Sequence, residues 1–361
     1  MPEQMNSVVP QYYTSEAGLD KHYRNYGRRL AFDGATAAEA KSWQRKARKR
    51  LAQLLGLDRF TMAPAKARKL ESVVVDGLTR ESWRIQTEPN VWMPFYLFIP
   101  PASKDRPTPL VLCPHGHASA GKWSTGGRRD IPGMEPIIQQ YHYDYGLQIA
   151  REGFITACMD ARGFGERREP DMQREAVFNH GSCHQLSLAG APLGMPVQGM
   201  WTWDLMRLVD HLSADPRIDA SRIGCAGLSG GGLQTLDLAA IDTRIKAAVV
   251  SGYFYGVRES LMIDNGNCMC NMVPHLWEEF DMGDIGALTA PRGLFIETGD
   301  ADSLNGSSNL ANVRSQVRIA KKVYSAMSAG PQMKHHVFQG EHRWDGTHAI
   351  PWLVGQLLGE K

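Results

Sequence analysis

The spacing of apolar and polar positions changes character twice along the chain. Before residue 71 the rhythm is helical. Between 35 and 55, Ala, Leu and basic residues recur at helical spacing, and Gly56 offers a stop. Over 71–100 the rhythm is that of strands. Segments 72–75 and 82–86 flank Asp76-Gly77, a turn signal, and 94–99 is a third apolar run closed by Pro100-Pro101. Beyond Pro107, short apolar runs at 110–113, 154–159, 223–226, 247–251, 293–298 and 336–339 alternate with helical patterns near 145–151, 200–212 and 311–327, and after Gly230. Strands alternating with helices predict an α/β fold with a mostly parallel sheet covered by helices on both faces. The expected organisation is an N-terminal helical extension, 1–70, ahead of a catalytic domain, 71–361. Two long segments, 162–198 and 253–282, break the rhythm; both are rich in Gly, Asn, His, Met and aromatic residues. Long loops at the carboxyl ends of parallel strands are where such folds build pockets.

Composition narrows the class without changing it. With 43% hydrophobic and 22% charged residues among 361, the chain can bury a sizeable core. A formal charge of +2 gives no reason to expect a polyanionic partner. The basic cluster Arg45, Lys46, Arg48, Lys49 and Arg50 is accompanied by no interleaved aromatic platform and reads as a solvated helix face, so nucleic acid is not expected as a partner. No run approaches the roughly 20 apolar residues of a membrane span. Residues 1–13 lack the basic flank and apolar run of a signal peptide, so a cytoplasmic, non-membrane location is expected. Six cysteines in so long a chain do not make a disulfide framework.

The stretch with the most chemistry is 222–232, R-I-G-C-A-G-L-S-G-G-G. It reads as an apolar strand, a tight turn and the start of a helix, with Ser229 at the centre of a G-x-S-x-G pattern. A serine on a sharp strand-to-helix turn has strained backbone angles and crowded neighbours, so the flanking glycines have a steric purpose. The turn also aims the first helical amides at the same spot. A serine needs a base, and the base needs an orienting acid. In the expected chain order, Asp300 and Asp302 follow the 293–298 strand and His342 follows the 336–339 strand. Asp302 is preferred over Asp300, because an aspartate directly after a strand more often caps the turn. The amides of Gly230 and His117 are the expected oxyanion-hole donors. Asp160 and Arg162 are expected to tie down a loop beside the site. Trp344, Trp201 and Trp123 are candidates to line a substrate pocket. His115 and His117 with Cys268 and Cys270 could make a zinc set, but the spacing between the pairs matches no standard pattern. The sequence therefore assigns no metal ligand and no cofactor.

Taken together, H-G-H at 115–117, D-A-R-G-F-G-E at 160–166, G-L-S-G-G at 227–231, G-D-A-D at 299–302 and G-E-H at 340–342 resemble the bacterial serine α/β-hydrolases, in particular the acetyl xylan esterase-like and dienelactone hydrolase-like groups. The resemblance runs from about residue 71 to the C-terminus. It implies an α/β-hydrolase fold and a Ser-His-Asp triad at Ser229, His342 and Asp302. Gly230 stands where the acetyl xylan esterases resemble a Gln, and His117 where they resemble a Tyr. These departures bear on sugar specificity and leave the hydrolytic chemistry intact. True dienelactone hydrolases resemble a cysteine nucleophile, which position 229 does not supply.

The expected function is hydrolysis of a carboxylic ester of a small molecule or carbohydrate through an acyl-enzyme. A carbon–carbon bond hydrolase using the same triad on a ketone, and a non-catalytic hydrolase-like scaffold, are the alternatives. The long loops and N-terminal helices suggest a homo-oligomer.

Overall fold

The structure, a computed structural model, describes residues 12–170, 178–263 and 267–359. Its centre is a nine-stranded sheet in the order β1-β2-β3-β5-β4-β6-β7-β8-β9. The strands are β1 (Arg68–Val75), β2 (Leu78–Glu88), β3 (Val91–Ile99), β4 (Thr108–Leu112), β5 (Ile155–Met159), β6 (Ile218–Leu228), β7 (Ile245–Ser251), β8 (Gly293–Gly299) and β9 (Met333–Phe338). β1, β2 and β3 form antiparallel hairpins, and β3 also meets β5 antiparallel. All pairings from β5 through β9 are parallel. The first hairpin turns on Asp76 and Gly77, both at positive φ, as the Asp-Gly signal predicts. The sheet begins at Arg68, slightly before the predicted boundary.

The chain passes from β4 to β5 on one side of β4, then crosses to β6 on the other. The crevice at the carboxyl ends of β4 and β6 is thus a topological switch point, where open α/β sheets bind ligands. The loop after β4 and the turn after β6 both end there. β4, β5 and β8 are buried at every position, which explains their continuous apolar runs.

The helix after β6, here called α3 (Gly230–Ile241), is buried from Gly230 through Ala240. Sheet strands β6 and β7 cover one side. Part of the remaining cover comes from the N-terminal segment, which holds α1 (Glu16–Tyr26) and α2 (Ala37–Leu54). On α2, Ala40, Gln44, Ala47 and Leu51 form a buried stripe. Gln44 Nε2 donates to the carbonyls of Ala287 and Ala290 at 3.1 and 2.7 Å. Arg48 donates to the carbonyls of Ala240 and Leu288 at 2.7 and 2.8 Å, so it satisfies a carbonyl in the last turn of α3. α2 is therefore part of the packing around α3. Within the basic stretch, Arg48 and Arg50 engage the body of the protein, whereas Arg45, Lys46 and Lys49 are exposed, as a solvated face requires. No helix among the described residues is long and apolar enough to cross a membrane.

One buried acid inside α3 has a measurable consequence. Neither carboxyl oxygen of Asp237 has a hydrogen-bond partner among the described residues, and burial raises its pKa from 3.8 to about 8. The folded chain therefore keeps Asp237 protonated at neutral pH, while the unfolded chain ionises it above 3.8. Its contribution to stability is fully present below that value and is lost as pH rises toward 8, at about 1.4 kcal/mol per pH unit. Asp237→Asn removes the titration, so the decline in stability across this window is expected to flatten. Urea unfolding of the two proteins at a series of pH values checks it.

Candidate active site

Ser229 lies between β6 and α3 with φ 59° and ψ −122°. A non-glycine residue at such angles is strained, and the strain is sustained by fixed surroundings. The Ser229 amide donates to the Ser251 carbonyl at 2.9 Å, which ties the turn to the end of β7. The flanking glycines are required sterically. A Cβ on Gly227 would collide with the Gly231 backbone, and one on Gly231 with the Pro114 carbonyl. In the facing loop, a Cβ on Gly116 would lie 2.6 Å from the Leu228 carbonyl and 2.9 Å from Ser229 Cβ. The serine is 8% exposed.

His342 follows β9, and its Nδ1 is 2.7 Å from Asp302 Oδ2. Asp302 is buried, and its other oxygen accepts from the Leu304 amide at 2.9 Å. A carboxylate acceptor at Nδ1 places the proton there and leaves Nε2 with its lone pair. Asp300 is used differently: it accepts from the Gly340 amide at 2.9 Å and shapes the turn. The imidazole packs against Gly252, where an added Cβ would sit 2.9 Å from His342 Cε1 and 3.2 Å from a Leu228 methyl. Gly252 adjoins Ser251, whose carbonyl holds the Ser229 amide, so the imidazole and the serine turn share one wall. Ser229 Oγ and His342 Nε2 each lack a hydrogen-bond partner among the described residues, as do the amides of Gly230 and His117.

His117 and Gly230 are in contact: a Cβ on Gly230 would lie 3.0 Å from His117 Nδ1. The loop bearing His117 is braced on both flanks. The Tyr143 hydroxyl donates to the His117 carbonyl. His115 is buried and pushed down to about pKa 4 by desolvation, so it is neutral. Its Nε2 accepts from the Ala161 amide at 3.1 Å, and its Nδ1 donates to the Gly116 carbonyl at 2.9 Å. Asp160 accepts from the Lys122 amide, the Lys122 ammonium and the Glu166 amide at 2.7, 2.8 and 3.1 Å. Arg162 is paired with Asp204 and Glu88. Both residues hold loops together, as the sequence reading expects.

Two of the three tryptophans are not placed to line a pocket. Trp344 is fully buried and stacks on Tyr145 at 4.8 Å between ring centroids. Trp201 is 2% exposed and donates to the Arg162 carbonyl at 2.9 Å. Both are core residues beneath the site, because large rings next to a crowded turn are cheaper to bury than to hydrate. Trp123 is half-buried and lines a cavity with Ala120, Gly165, Glu166, Arg168 and Phe178.

Sequence reasoning missed Glu297 and Cys183. Glu297 is buried in β8, and it accepts from Ser251 Oγ at 2.8 Å and from the amides of Asp345 and Gly346 at 2.9 Å each. It joins the end of β7 to the loop that carries His342. Burial raises its pKa to about 7, against the pull of these donors. A carboxyl group within the apolar run G-L-F-I-E-T-G was the available signal. Cys183 draws near His117 together with Cys268 and Cys270, while His115 stays apart.

The chain matches the model of the Abhydrolase family (Abhydrolase_7) over residues 9–322. A protein of Bacillus subtilis (strain 168) named "Putative hydrolase YtaP" is 25% identical over 227 residues, 61% of this chain and 69% of that one. Among solved structures, an acetyl xylan esterase described as putative, from Bacteroides fragilis NCTC 9343, superposes with a TM-score of 0.75 at 19% identity, covering 91% of this chain and 83% of its own. A glucuronoyl esterase from Solibacter usitatus gives 0.64 at 18% identity, covering 96% and 98%. At these identities the structural likeness carries the fold.

The donors around Glu297 give a test of its bracing role. Glu297→Gln puts an NH₂ where one oxygen now accepts, so at least one buried amide loses its partner. The expected cost is about 1–3 kcal/mol of stability, read as a lower urea midpoint at unchanged m-value.

Proposed function

We propose a serine esterase on the premise that the chain belongs to the Abhydrolase family, whose model spans both the N-terminal helices and most of the sheet. The observation that carries this reading is the 2.7 Å contact between His342 and Asp302, on a wall shared with the strained turn of Ser229. In this mechanism His342 Nε2 takes the proton from Ser229 as Oγ attacks an ester carbonyl. Asp302 holds the proton at Nδ1 and stabilises the imidazolium that forms. The amides of Gly230 and His117 donate to the oxyanion; loss of one such donor costs about 3 kcal/mol of barrier. The imidazolium then protonates the leaving alcohol, and water repeats the attack on the acyl-enzyme.

The substrate is a carboxylic ester of a small molecule or carbohydrate. The carbohydrate side of this reading is supported by the two esterases that share the fold, an acetyl xylan esterase and a glucuronoyl esterase by their descriptions. Against a sugar platform stands the burial of Trp201 and Trp344. Small aryl and alkyl acetates are therefore the first substrates to assay.

Ser229→Ala is expected to reduce turnover of an aryl acetate by about 10⁶-fold and to abolish labelling by a fluorophosphonate. Full labelling of that variant, or an unchanged rate, would remove the proposal. Asp302→Asn is expected to cost about 10⁴-fold in kcat by leaving the imidazole in the wrong tautomer. Asp300→Asn, which disturbs only a turn, is expected to change stability by about 1 kcal/mol and to spare the chemistry. Equal losses of kcat in the two variants would assign the acid wrongly.

A further inference from the structure

Four side chains that the hydrolytic chemistry leaves unused converge beside it. They are His117 in the loop after β4, Cys183 at the first position of α4 (Cys183–Gly190), and Cys268 and Cys270 in the insertion after β7. One donor atom from each, an imidazole nitrogen and three sulfurs, lies within 4.8 Å of all the others. His117 Nε2 is 3.5 Å from Cys270 Sγ and 3.7 Å from Cys183 Sγ. These separations suit hydrogen bonds to sulfur and equally fit the edges of a coordination polyhedron. With Zn–S of about 2.3 Å and Zn–N of about 2.0–2.1 Å, a tetrahedron has N···S edges of about 3.5 Å and S···S edges of about 3.8 Å. Cys183 and Cys270 are buried, where three thiols and an imidazole offer one another only weak hydrogen bonds.

We propose that His117, Cys183, Cys268 and Cys270 bind one Zn²⁺ ion as a structural Cys₃His site. The donor set selects the metal. Three thiolates and an imidazole suit Zn²⁺ over the hard cations, and tetrahedral S/N geometry is its usual structural environment. Four protein ligands fill the coordination sphere, so the ion takes no substrate and acts as a clamp. The surroundings supply an outer shell: Asn271 Nδ2 donates to Cys270 Sγ at 3.8 Å. Cys183 also stands in the first turn of α4, where free amides favour a thiolate. The ligands come from three segments far apart in sequence, and a further hydrogen bond joins two of them, from Ser187 Oγ to the Met269 carbonyl at 2.9 Å. The ion therefore fastens both long insertions to the loop after β4.

That loop carries the His117 amide, and the His117 ring packs on Gly230. Under the esterase reading, the clamp fixes one oxyanion donor against the other. This consequence rests on that reading; the metal content does not.

The test is elemental analysis of the full chain, purified with reductant and without chelator. The expected result is about one zinc per chain in the native protein and in Cys158→Ala, whose cysteine lies in β5 outside the cluster, and a loss of at least tenfold in Cys183→Ser and Cys270→Ser. Should those variants fail to fold, the native protein is stripped with chelator and titrated with Co²⁺. A thiolate-to-cobalt charge-transfer band and tetrahedral d–d bands saturating at about one equivalent support the site. A fresh native protein that holds almost no zinc, and takes up no Co²⁺ when reduced, overturns it. So does an intact mass lighter by two hydrogens that maps to a disulfide among these three cysteines. Loss of zinc with unchanged ester hydrolysis would keep the site and remove its role in the oxyanion loop; loss of hydrolysis in Ser229→Ala with zinc retained would separate the two proposals.

Discussion

Everything at the site depends on how closely three backbones approach one another at the carboxyl end of β6. The turn at Ser229, the loop at Pro114–Gly116 and the end of β7 at Ser251–Gly252 meet with no room for a Cβ at Gly116, Gly227, Gly231 or Gly252. This crowding holds Ser229 at a positive φ that it would otherwise leave. It also decides which groups face the crevice. Among the described residues the amides of Gly230 and His117 have no acceptor, and one imidazole is set against the wall that the serine shares. A single methyl at Gly116, Gly227 or Gly231 would press on a backbone segment, and one at Gly252 would press on the His342 ring.

Such a packed corner needs support from layers that make no contact with a reacting atom. Glu297 fixes the outgoing loop after β9 to the end of β7 by three donors. His115, neutral and buried, stitches the loop after β4 to the loop after β5. Behind the serine, α3 is buried from Gly230 through Ala240, and Gln44 and Arg48 of α2 bond to backbone carbonyls around it. Of the two N-terminal helices, α2 thus bears on the helix that starts at Gly230, and the family match extends across both.

The parts of this arrangement that were legible in the sequence are those set by local rules. G-x-S-x-G specifies a turn within five residues, and alternating strands and helices specify the layers. Asp302 was separable from Asp300 because one residue directly after a strand shapes the turn, and the observed bond from the Gly340 amide to Asp300 has that character. What was not legible depends on tertiary placement. Trp344 and Trp201 carry the same ring whether they line a pocket or fill a core, and only the packing of Tyr145 and the Arg162 carbonyl decides it. Glu297 and Asp237 announce themselves as acids in apolar runs, yet their partners, or lack of them, come from other elements.

Cys183 shows why spacing rules fail for a site assembled across insertions. Zinc motifs read from sequence assume that ligands come in pairs on one short loop, because a short loop closes at small entropic cost. Here Cys268 and Cys270 form such a pair, while His117 comes from the loop after β4 and Cys183 from the segment after β5. A preformed α/β scaffold removes the closure cost, since the sheet already holds the loop after β4 and the ends of both insertions at one edge. The same topology that places Ser229, Asp302 and His342 just past the carboxyl ends of β6, β8 and β9 brings the other four side chains together from the segments after β4, β5 and β7. Both clusters follow from one property of the fold: every parallel strand delivers its following loop to the same edge, so residues distant in sequence become neighbours without further ordering.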